Sequence, residues 1–130
     1  MRKKLGTFQY PVDLLSADGQ KSDQVSPWVD TGPLYSQFPA ALLNGLGHSP
    51  NASRLFRLAD GSTMERPVGS VPMRIRGETQ QVLCIFGQDT DEMLLGATAL
   101  ETFSLAPDPV NETLTPIVAM LLRISQDGRL

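Results

Sequence analysis

The chain has little of the material from which most metal, redox and nucleophilic sites are built. Its 130 residues include one cysteine and one histidine. A single cysteine excludes an internal disulfide and a cysteine-rich metal site, and one histidine leaves a histidine-based metal site or triad little to draw on. We therefore expect no metal and no cofactor. Cys84 lies in an apolar run and is interpreted as a buried strand thiol, whereas His48, after a predicted helix end, is interpreted as a surface residue.

Long apolar runs and an excess of basic charge are also missing. No stretch approaches the roughly 20 apolar residues that a membrane span needs, and residues 5–10 do not form the apolar core of a signal peptide. The chain has 11 basic and 14 acidic residues and a net charge of -3, with one small basic cluster at residues 2–4. We therefore expect no membrane and no nucleic-acid partner, and we predict a soluble protein of the cytoplasm.

What the chain does contain is a series of apolar runs separated by turn-forming residues. It has 11 glycines and 10 prolines, and 41% of its residues are hydrophobic. This composition favours short strands joined by turns over a helical bundle, and the length fits one domain with its own core. We predict a single, mostly-β domain over residues 1–130, with a closed or sandwich-like sheet of about seven to nine strands and two short helices.

Turn signals and periodicity place the strands. Phe8 to Leu15 and Val25 to Val29 predict one hairpin. Arg54 to Ala59 and Met64 to Val71 predict a second around Asp60-Gly61, because both positions of that dipeptide tolerate positive φ. Residues 71–77 alternate and predict a strand with one buried face. Residues 81–86 and 114–124 are read as further apolar strands.

Two short helices are predicted from their ends and their spacing. The first lies within residues 37–47, where a proline suits the first turn and a glycine suits the stop. The second lies within residues 97–103. The side chains expected to face the core are Leu42, Leu43 and Leu46 in the first helix and Ala97, Leu100 and Phe103 in the second.

The tripeptide Asp30-Thr31-Gly32 is the main candidate for chemistry. On its own it is a weak signal, because three residues match often by chance. Here it follows the apolar pair Trp28-Val29. Further along, Leu94-Leu95-Gly96 ends an apolar strand and opens a helix, and the hairpin signal Ala59-Asp60-Gly61 lies between the two motifs. The order of these motifs carries more information than any one of them.

In this order the motifs resemble the retropepsin-like aspartic proteases, particularly their single-domain prokaryotic members. The resemblance covers residues 25 to 117 and implies the acid-protease fold, a closed β-barrel with one or two short helices. It also implies aspartic endopeptidase activity on a peptide or protein substrate, and a homodimer. The matching segments are residues 29–32, 43–47, 58–61, 94–96 with Leu100-Glu101, and 108–110 followed by Leu114-Thr115-Pro116.

The chemistry of such a site explains why two copies are needed. Peptide hydrolysis without a nucleophilic side chain requires an activated water and an acid for the carbonyl oxygen, and two close carboxylates that share one proton supply both. The pair titrates as a unit. Because the chain has one Asp-Thr-Gly, the second aspartate must come from another copy across a two-fold axis.

The resemblance also implies a role for each matching residue. Asp30, Thr31 and Gly32 are the catalytic loop, in which the threonine hydroxyl braces the opposing loop and the glycine lets substrate backbone approach. Pro33 departs from the small residue usual at that position and has no N–H to offer substrate. The substrate-binding and flap positions are Pro33, Ala59, Asp60, Gly61, Leu94, Leu95 and Gly96.

Other interpretations of the same residues remain open. The domain can be a catalytically silent protease fold that binds an extended peptide or serves assembly, which Pro33 favours. It can also be an unrelated β-barrel with Asp30 in a turn. Asp60-Gly61 can be a plain surface hairpin as well as a flap. The acidic residues 89–92 can suggest a cation site, but their spacing lacks the features of a calcium loop and favours a solvated turn.

Overall fold

The computed structural model describes residues 7–118. The helices in this range are α1 (Ala40–Gly45) and α2 (Ala97–Thr102). The strands are β1 (Phe8–Gln9), β2 (Val12–Leu15), β3 (Ser22–Val25), β4 (Trp28–Val29), β5 (Ser36–Pro39), β6 (Ala52–Arg57), β7 (Thr63–Ile75), β8 (Glu78–Gly87), β9 (Leu94–Leu95), β10 (Leu105–Asp108) and β11 (Thr113–Pro116).

Most of the strands belong to one curled sheet. Its order is β1-β4-β9-β5-β8-β7-β2-β3, with β6 paired to β7, and it curls into a half-barrel. The hairpin of β10 and β11 forms a second, two-stranded sheet. The predicted class, a mostly-β domain with two short helices, is confirmed.

Two long hairpins form the middle of the sheet. In the first, β6 pairs with the start of β7, from Ala52 opposite Val68 to Arg57 opposite Thr63, as the Asp60-Gly61 signal predicted. In the second, the rest of β7 pairs with β8. Arg76 and Gly77 turn the chain between β7 and β8 with φ values of 53° and 82°. Two consecutive positive φ values match the twist of a two-residue hairpin.

The predicted N-terminal hairpin is divided into two ladders. β2 pairs with β3 from Val12 opposite Val25, and β1 pairs with β4 from Phe8 opposite Val29. Pro11 lies between β1 and β2 and has no N–H for a ladder, which explains the break in that arm. As a result, β4 pairs with β1 on one side and with β9 on the other.

The core lies inside the curl and beneath the two helices. Val71, Met73 and Ile75 alternate as buried residues on β7, as their spacing predicted. Both predicted helices are present, although residues 37–39 belong to β5. Cys84 is buried as expected, and burial raises the pKa of its thiol to about 12, so the thiol stays protonated. The helical residues buried in the core are Leu43, Ala99 and Leu100, joined by Leu46 and Phe103 just past the helix ends, whereas Leu42 and Ala97 are half-buried.

Two expectations about individual segments are wrong. His48 is buried rather than exposed, and its Nε2 lies 2.7 Å from the carbonyl oxygen of Leu15. The reason is that Gly47, at a φ of 91°, turns the chain after α1 back onto β2. The final strand was expected to run to residue 124, but β11 ends at Pro116. Residues 119–124 lie outside the described range.

Metal-binding clusters and membrane-spanning helices can be assessed for residues 7–118. In that range no cluster of three or more His, Cys, Asp or Glu side chains could hold a metal ion. In the acidic turn, the Asp91 carboxylate accepts a hydrogen bond from the Gln88 N–H at 2.8 Å, which is a local turn contact. The same part of the chain has no helix that is both long and apolar enough to cross a bilayer.

Candidate functional site

The Asp30 loop is positioned by a short strand that lies between its two ends. β4 leads into the loop and pairs in parallel with β9, and the Asp30 N–H donates to the Leu95 carbonyl at 3.1 Å. β5 follows the loop and pairs with the other side of β9, where Gln37 lies opposite Leu94. The loop of residues 30–35 therefore crosses over the end of β9, and the ladders on both sides fix where it lies.

Asp30 is half-buried at the start of this loop. Its Oδ1 accepts a hydrogen bond from the Gly32 N–H at 2.9 Å. A Cβ at position 32 would lie 3.2 Å from that same oxygen, which is closer than ordinary contact. Glycine therefore keeps space beside the carboxylate. Thr31 and Gly32 are exposed, so the carboxylate lies where a partner or a substrate can approach it.

Gly96 lies beneath the loop, at the point where β9 ends and α2 begins. A Cβ there would lie 2.6 Å from the carbonyl oxygen of Tyr35 and 2.9 Å from that of Pro33. The loop can therefore approach β9 this closely because position 96 has no side chain. The first turn of α2 also holds the loop, since Ala97 N–H donates to the Pro33 carbonyl at 2.9 Å and Thr98 N–H to the Leu34 carbonyl at 3.0 Å.

Ser36 completes the support of the loop. Its side chain is fully buried, and its hydroxyl oxygen accepts a hydrogen bond from the Gly96 N–H at 3.0 Å. The bond joins the end of the loop to the end of β9 in a place that water does not reach. If the acceptor is removed, the buried N–H stays out of water but no longer makes the hydrogen bond that offsets the cost of desolvation.

Replacing Ser36 with alanine should therefore destabilise the loop. We expect Ser36→Ala to lower the free energy of unfolding by about 1–3 kcal/mol, because the Gly96 N–H is left buried without this acceptor. Chemical denaturation measures the change. The matched control is Ser70→Ala, whose hydroxyl is exposed and bonds Gln81, and which should change stability by less than about 0.5 kcal/mol. Equal effects from the two variants would contradict the bracing role.

The hairpin of β6 and β7 forms the opposite wall of a cavity beside the loop. The cavity has a volume of about 450 Å³, within the range of ligand pockets. The ring of Phe56 on β6 meets the ring of Tyr35 on the loop edge-on, with centroids 5.4 Å apart. The lining residues are Pro33, Leu34, Tyr35, Arg54, Leu55, Phe56, Arg57 and Ile85.

The tip of this hairpin is a tight, self-bonded turn. Leu58 N–H donates to the Ser62 carbonyl at 2.7 Å, and Gly61 has a φ of 88°. Asp60 Oδ1 accepts hydrogen bonds from the Ser62 hydroxyl and N–H, and these bonds lower the pKa of the Asp60 carboxyl. The aspartate and the glycine thus shape an exposed turn.

A second hollow lies on the other side of Asp30-Thr31-Gly32. It has a volume of about 270 Å³ and is mostly apolar. Ile117, one of its lining residues, is 49% exposed, and Val110, in the turn between β10 and β11, is 88% exposed. The lining residues are Thr31, Ala97, Leu100, Glu101, Leu105, Ala106, Pro107 and Ile117.

The structure brings most of the predicted site residues into one unit. Asp30 to Pro33 and Leu94 to Gly96 are joined by backbone bonds and close packing, as described above. Ala59, Asp60 and Gly61 form the separate tip of the hairpin, and β6, rather than that tip, meets the loop at Phe56. The sequence interpretation missed the other residues that build the site, namely Leu34, Tyr35, Ser36, Arg54, Phe56 and Arg57.

Comparison with known proteins adds evidence at the level of the fold. No family model matches the chain, and no curated protein matches it. Solved structures do. A retropepsin-like aspartic protease from Rickettsia conorii is 20% identical with a TM-score of 0.53, and the match covers 87% of this chain and 94% of that one. The protease of simian foamy virus (mac) is 15% identical with a TM-score of 0.50, covering 71% and 92%.

These likenesses confirm the fold that the ordered motifs predicted. The neighbours are retropepsin-like aspartic proteases, and the described part of this chain has the same curled sheet.

Proposed function

We propose that this chain is an aspartic endopeptidase, formed as a single domain by residues 1–130 and active as a homodimer. The observation that carries the proposal is the Asp30 loop. In a fold shared with aspartic proteases, this loop is held over the end of β9 by the close approach at Gly96, and it lies beside an apolar cavity. Asp30 supplies the carboxylate, Thr31 braces the two loops, and Gly32 leaves room for substrate.

The reaction follows from two carboxylates that share one proton. The ionised Asp30 accepts a proton from water as the water oxygen bonds to the peptide carbon, and the protonated Asp30 of the second copy gives its proton to the carbonyl oxygen. The tetrahedral intermediate then returns a proton from one hydroxyl to a carboxylate as the C–N bond breaks. The leaving nitrogen takes the proton that the other carboxylate holds, so the pair ends with one proton, as it began.

The second copy is required because one chain contributes one such carboxylate. The hollow beside Thr31, together with its exposed lining residue Ile117, forms an apolar surface that a second copy can cover. A contiguous apolar surface of this kind favours association. An isologous contact there would place the two Asp30 loops across the two-fold axis.

Substrate would lie between the loop and the β6–β7 hairpin. Leu55, Leu58 and Met64 on this hairpin are exposed large hydrophobic residues, with 69%, 41% and 37% of their surface accessible. Covering them with a peptide removes apolar area from water. The tip at Ala59, Asp60 and Gly61 would act as the flap that shields the reaction from bulk water, and Pro33, Leu94, Leu95 and Gly96 would shape the pocket floor.

The shared proton predicts how activity depends on pH. We expect kcat/KM for an unstructured protein substrate to be highest at mildly acidic pH and to fall by about tenfold per pH unit once the pair has lost its proton. Initial cleavage rates between pH 3 and pH 9, with far-ultraviolet circular dichroism as a check on folding, measure the profile. A rate that stays constant up to pH 9 would exclude the shared-proton mechanism.

A second candidate function is peptide binding without cleavage. Pro33 favours it, because this residue lines the cavity and has no N–H to offer a bound peptide. The two functions are separated by a peptide mimic with a hydroxyl at the tetrahedral carbon. An active dyad should bind this mimic at least about 100-fold more tightly than the matched substrate peptide. A silent domain should bind the two alike.

A further inference from the structure

The cavity beside the Asp30 loop has an uneven distribution of charge. Pro33, Leu34, Tyr35, Leu55, Phe56 and Ile85 give it apolar and aromatic walls, and its two charged lining residues are Arg54 and Arg57. Among the described residues, no carboxylate lines it. Within residues 7–118, neither guanidinium group lies within ion-pair distance of an acidic side chain, and the ion pair present there joins Arg74 to Asp13 on other strands.

Each arginine donates one hydrogen bond to a backbone carbonyl of a residue outside the cavity lining. Arg57 donates to the Gly61 carbonyl at 3.1 Å, and Arg54 donates to the Ser53 carbonyl at 3.1 Å. A guanidinium has five N–H donors, so each of these bonds uses only part of the group. Strand alternation puts Arg54 on the same face of β6 as Phe56, whose ring meets Tyr35.

The acidic groups nearest in the hairpin lie away from Arg54. The Asp60 carboxylate is bonded to Ser62 at the tip. Glu65 lies opposite Leu55, and by alternation it shares the face of β6 that carries Arg57 and not the face that carries Arg54. Arg66 lies directly opposite Arg54, and like charges at such a position repel. No carboxylate of the hairpin therefore compensates the positive charge of Arg54, and the carboxylate of a ligand can do so.

We infer that this cavity is a substrate subsite that selects a peptide segment in which an acidic side chain adjoins an apolar one. The inference rests on the proposed function and names its substrate class. The apolar side chain covers Leu34 and Phe56, and the carboxylate bonds to Arg54, which lies on the same face of β6 as Phe56. Apolar walls exclude water and strengthen a charged contact beside them, and guanidinium groups match carboxylates in geometry.

Cleavage of a mixed peptide library measures the preference directly. The library is a digest of unfolded proteins, and the wild-type protein should enrich Glu and Asp at one fixed position relative to the cleaved bond. Peptides that differ only by Glu or Gln at that position should then differ about threefold to tenfold in kcat/KM. Arg54→Gln should reduce that ratio, and 0.5 M salt should reduce it too.

The matched control is Lys21→Gln, which removes the same charge from the turn after β2, at a different hollow. It should leave the Glu/Gln ratio unchanged. Enrichment of acidic residues at no position, or a ratio that Arg54→Gln leaves intact, would overturn the subsite.

A binding measurement separates this inference from the proposed function. Fluorescence anisotropy of labelled library peptides with Asp30→Asn protein reports selection without cleavage. Preferential binding of acidic peptides that Arg54→Gln weakens would support the subsite even if the wild-type protein cleaved nothing. Cleavage by the wild-type protein with equal rates for the Glu and Gln peptides would support the protease and overturn the subsite.

Discussion

Asp30→Asn is expected to lower kcat/KM for an unstructured protein by about three orders of magnitude or more. Asparagine neither holds the shared proton nor accepts one from water, so both acid and base functions fail in a dimer of the variant. The amide oxygen can still accept the Gly32 N–H bond that Asp30 Oδ1 accepts. The loop and the dimer should therefore persist, and the loss should appear in kcat rather than in folding.

Asp60→Asn is the matched control for this variant. It makes the same change in another Asp-containing motif, at the exposed turn of the hairpin. We expect it to keep cleavage within about tenfold of the wild type, because its carboxylate bonds to Ser62 within its own turn. Cleavage rates, with size-exclusion chromatography to follow the dimer, compare the two. Wild-type activity in Asp30→Asn would rule out the proposed mechanism.

Gly96→Ala is expected to lower the free energy of unfolding by about 3 kcal/mol. The added methyl group would lie 2.6 Å from the carbonyl oxygen of Tyr35 and 2.8 Å from its carbon, and backbone atoms cannot rotate away as a side chain can. Backbone strain at Gly96 itself plays no part, because its φ is -94° and alanine adopts that value. The loop must move, so cleavage should fall with stability.

Gly45→Ala provides the comparison. Gly45 is the last residue of α1, and an added Cβ there meets no atom within 4 Å. Alanine should leave stability unchanged or raise it by about 0.5–1 kcal/mol, because glycine loses more conformational freedom on folding. Thermal or chemical denaturation of both variants measures the contrast. A Gly96→Ala protein as stable as Gly45→Ala would contradict the close packing beneath the loop.

The sequence predicted local elements well because their signals are local. Asp60-Gly61 marked the β6–β7 hairpin, and apolar alternation marked the buried face of β7 from Val71 to Ile75. Both short helices were found from their ends and spacing. The ordered motifs also predicted the fold, and the solved structures confirm it, whereas the catalytic roles given to Asp30, Thr31 and Gly32 stay predictions.

What the sequence did not reveal depends on residues that are distant along the chain. Nothing local indicates that β9 pairs with both β4 and β5, yet this pairing fixes the Asp30 loop. Ser36 bonds a residue 60 positions away. His48 is buried because the turn at Gly47 folds it against β2, which composition cannot show.

The residues of the cavity were missed for a similar reason. Tyr35 and Phe56 become neighbours only when the hairpin lies beside the loop. β10 was missed because Pro107 and Pro109 obscure its strand pattern.

The central claim is that two copies of the chain share one catalytic pair, and co-refolding wild-type with Asp30→Asn protein tests it most directly. If each active site needs both Asp30 residues, equal mixing leaves about one quarter of the dimers active, and activity per wild-type chain falls to about half. As more of the variant is added, the activity per wild-type chain should fall in proportion to the fraction of wild-type chains. Activity per wild-type chain that stays constant at every ratio would show that one chain acts alone and would contradict the account.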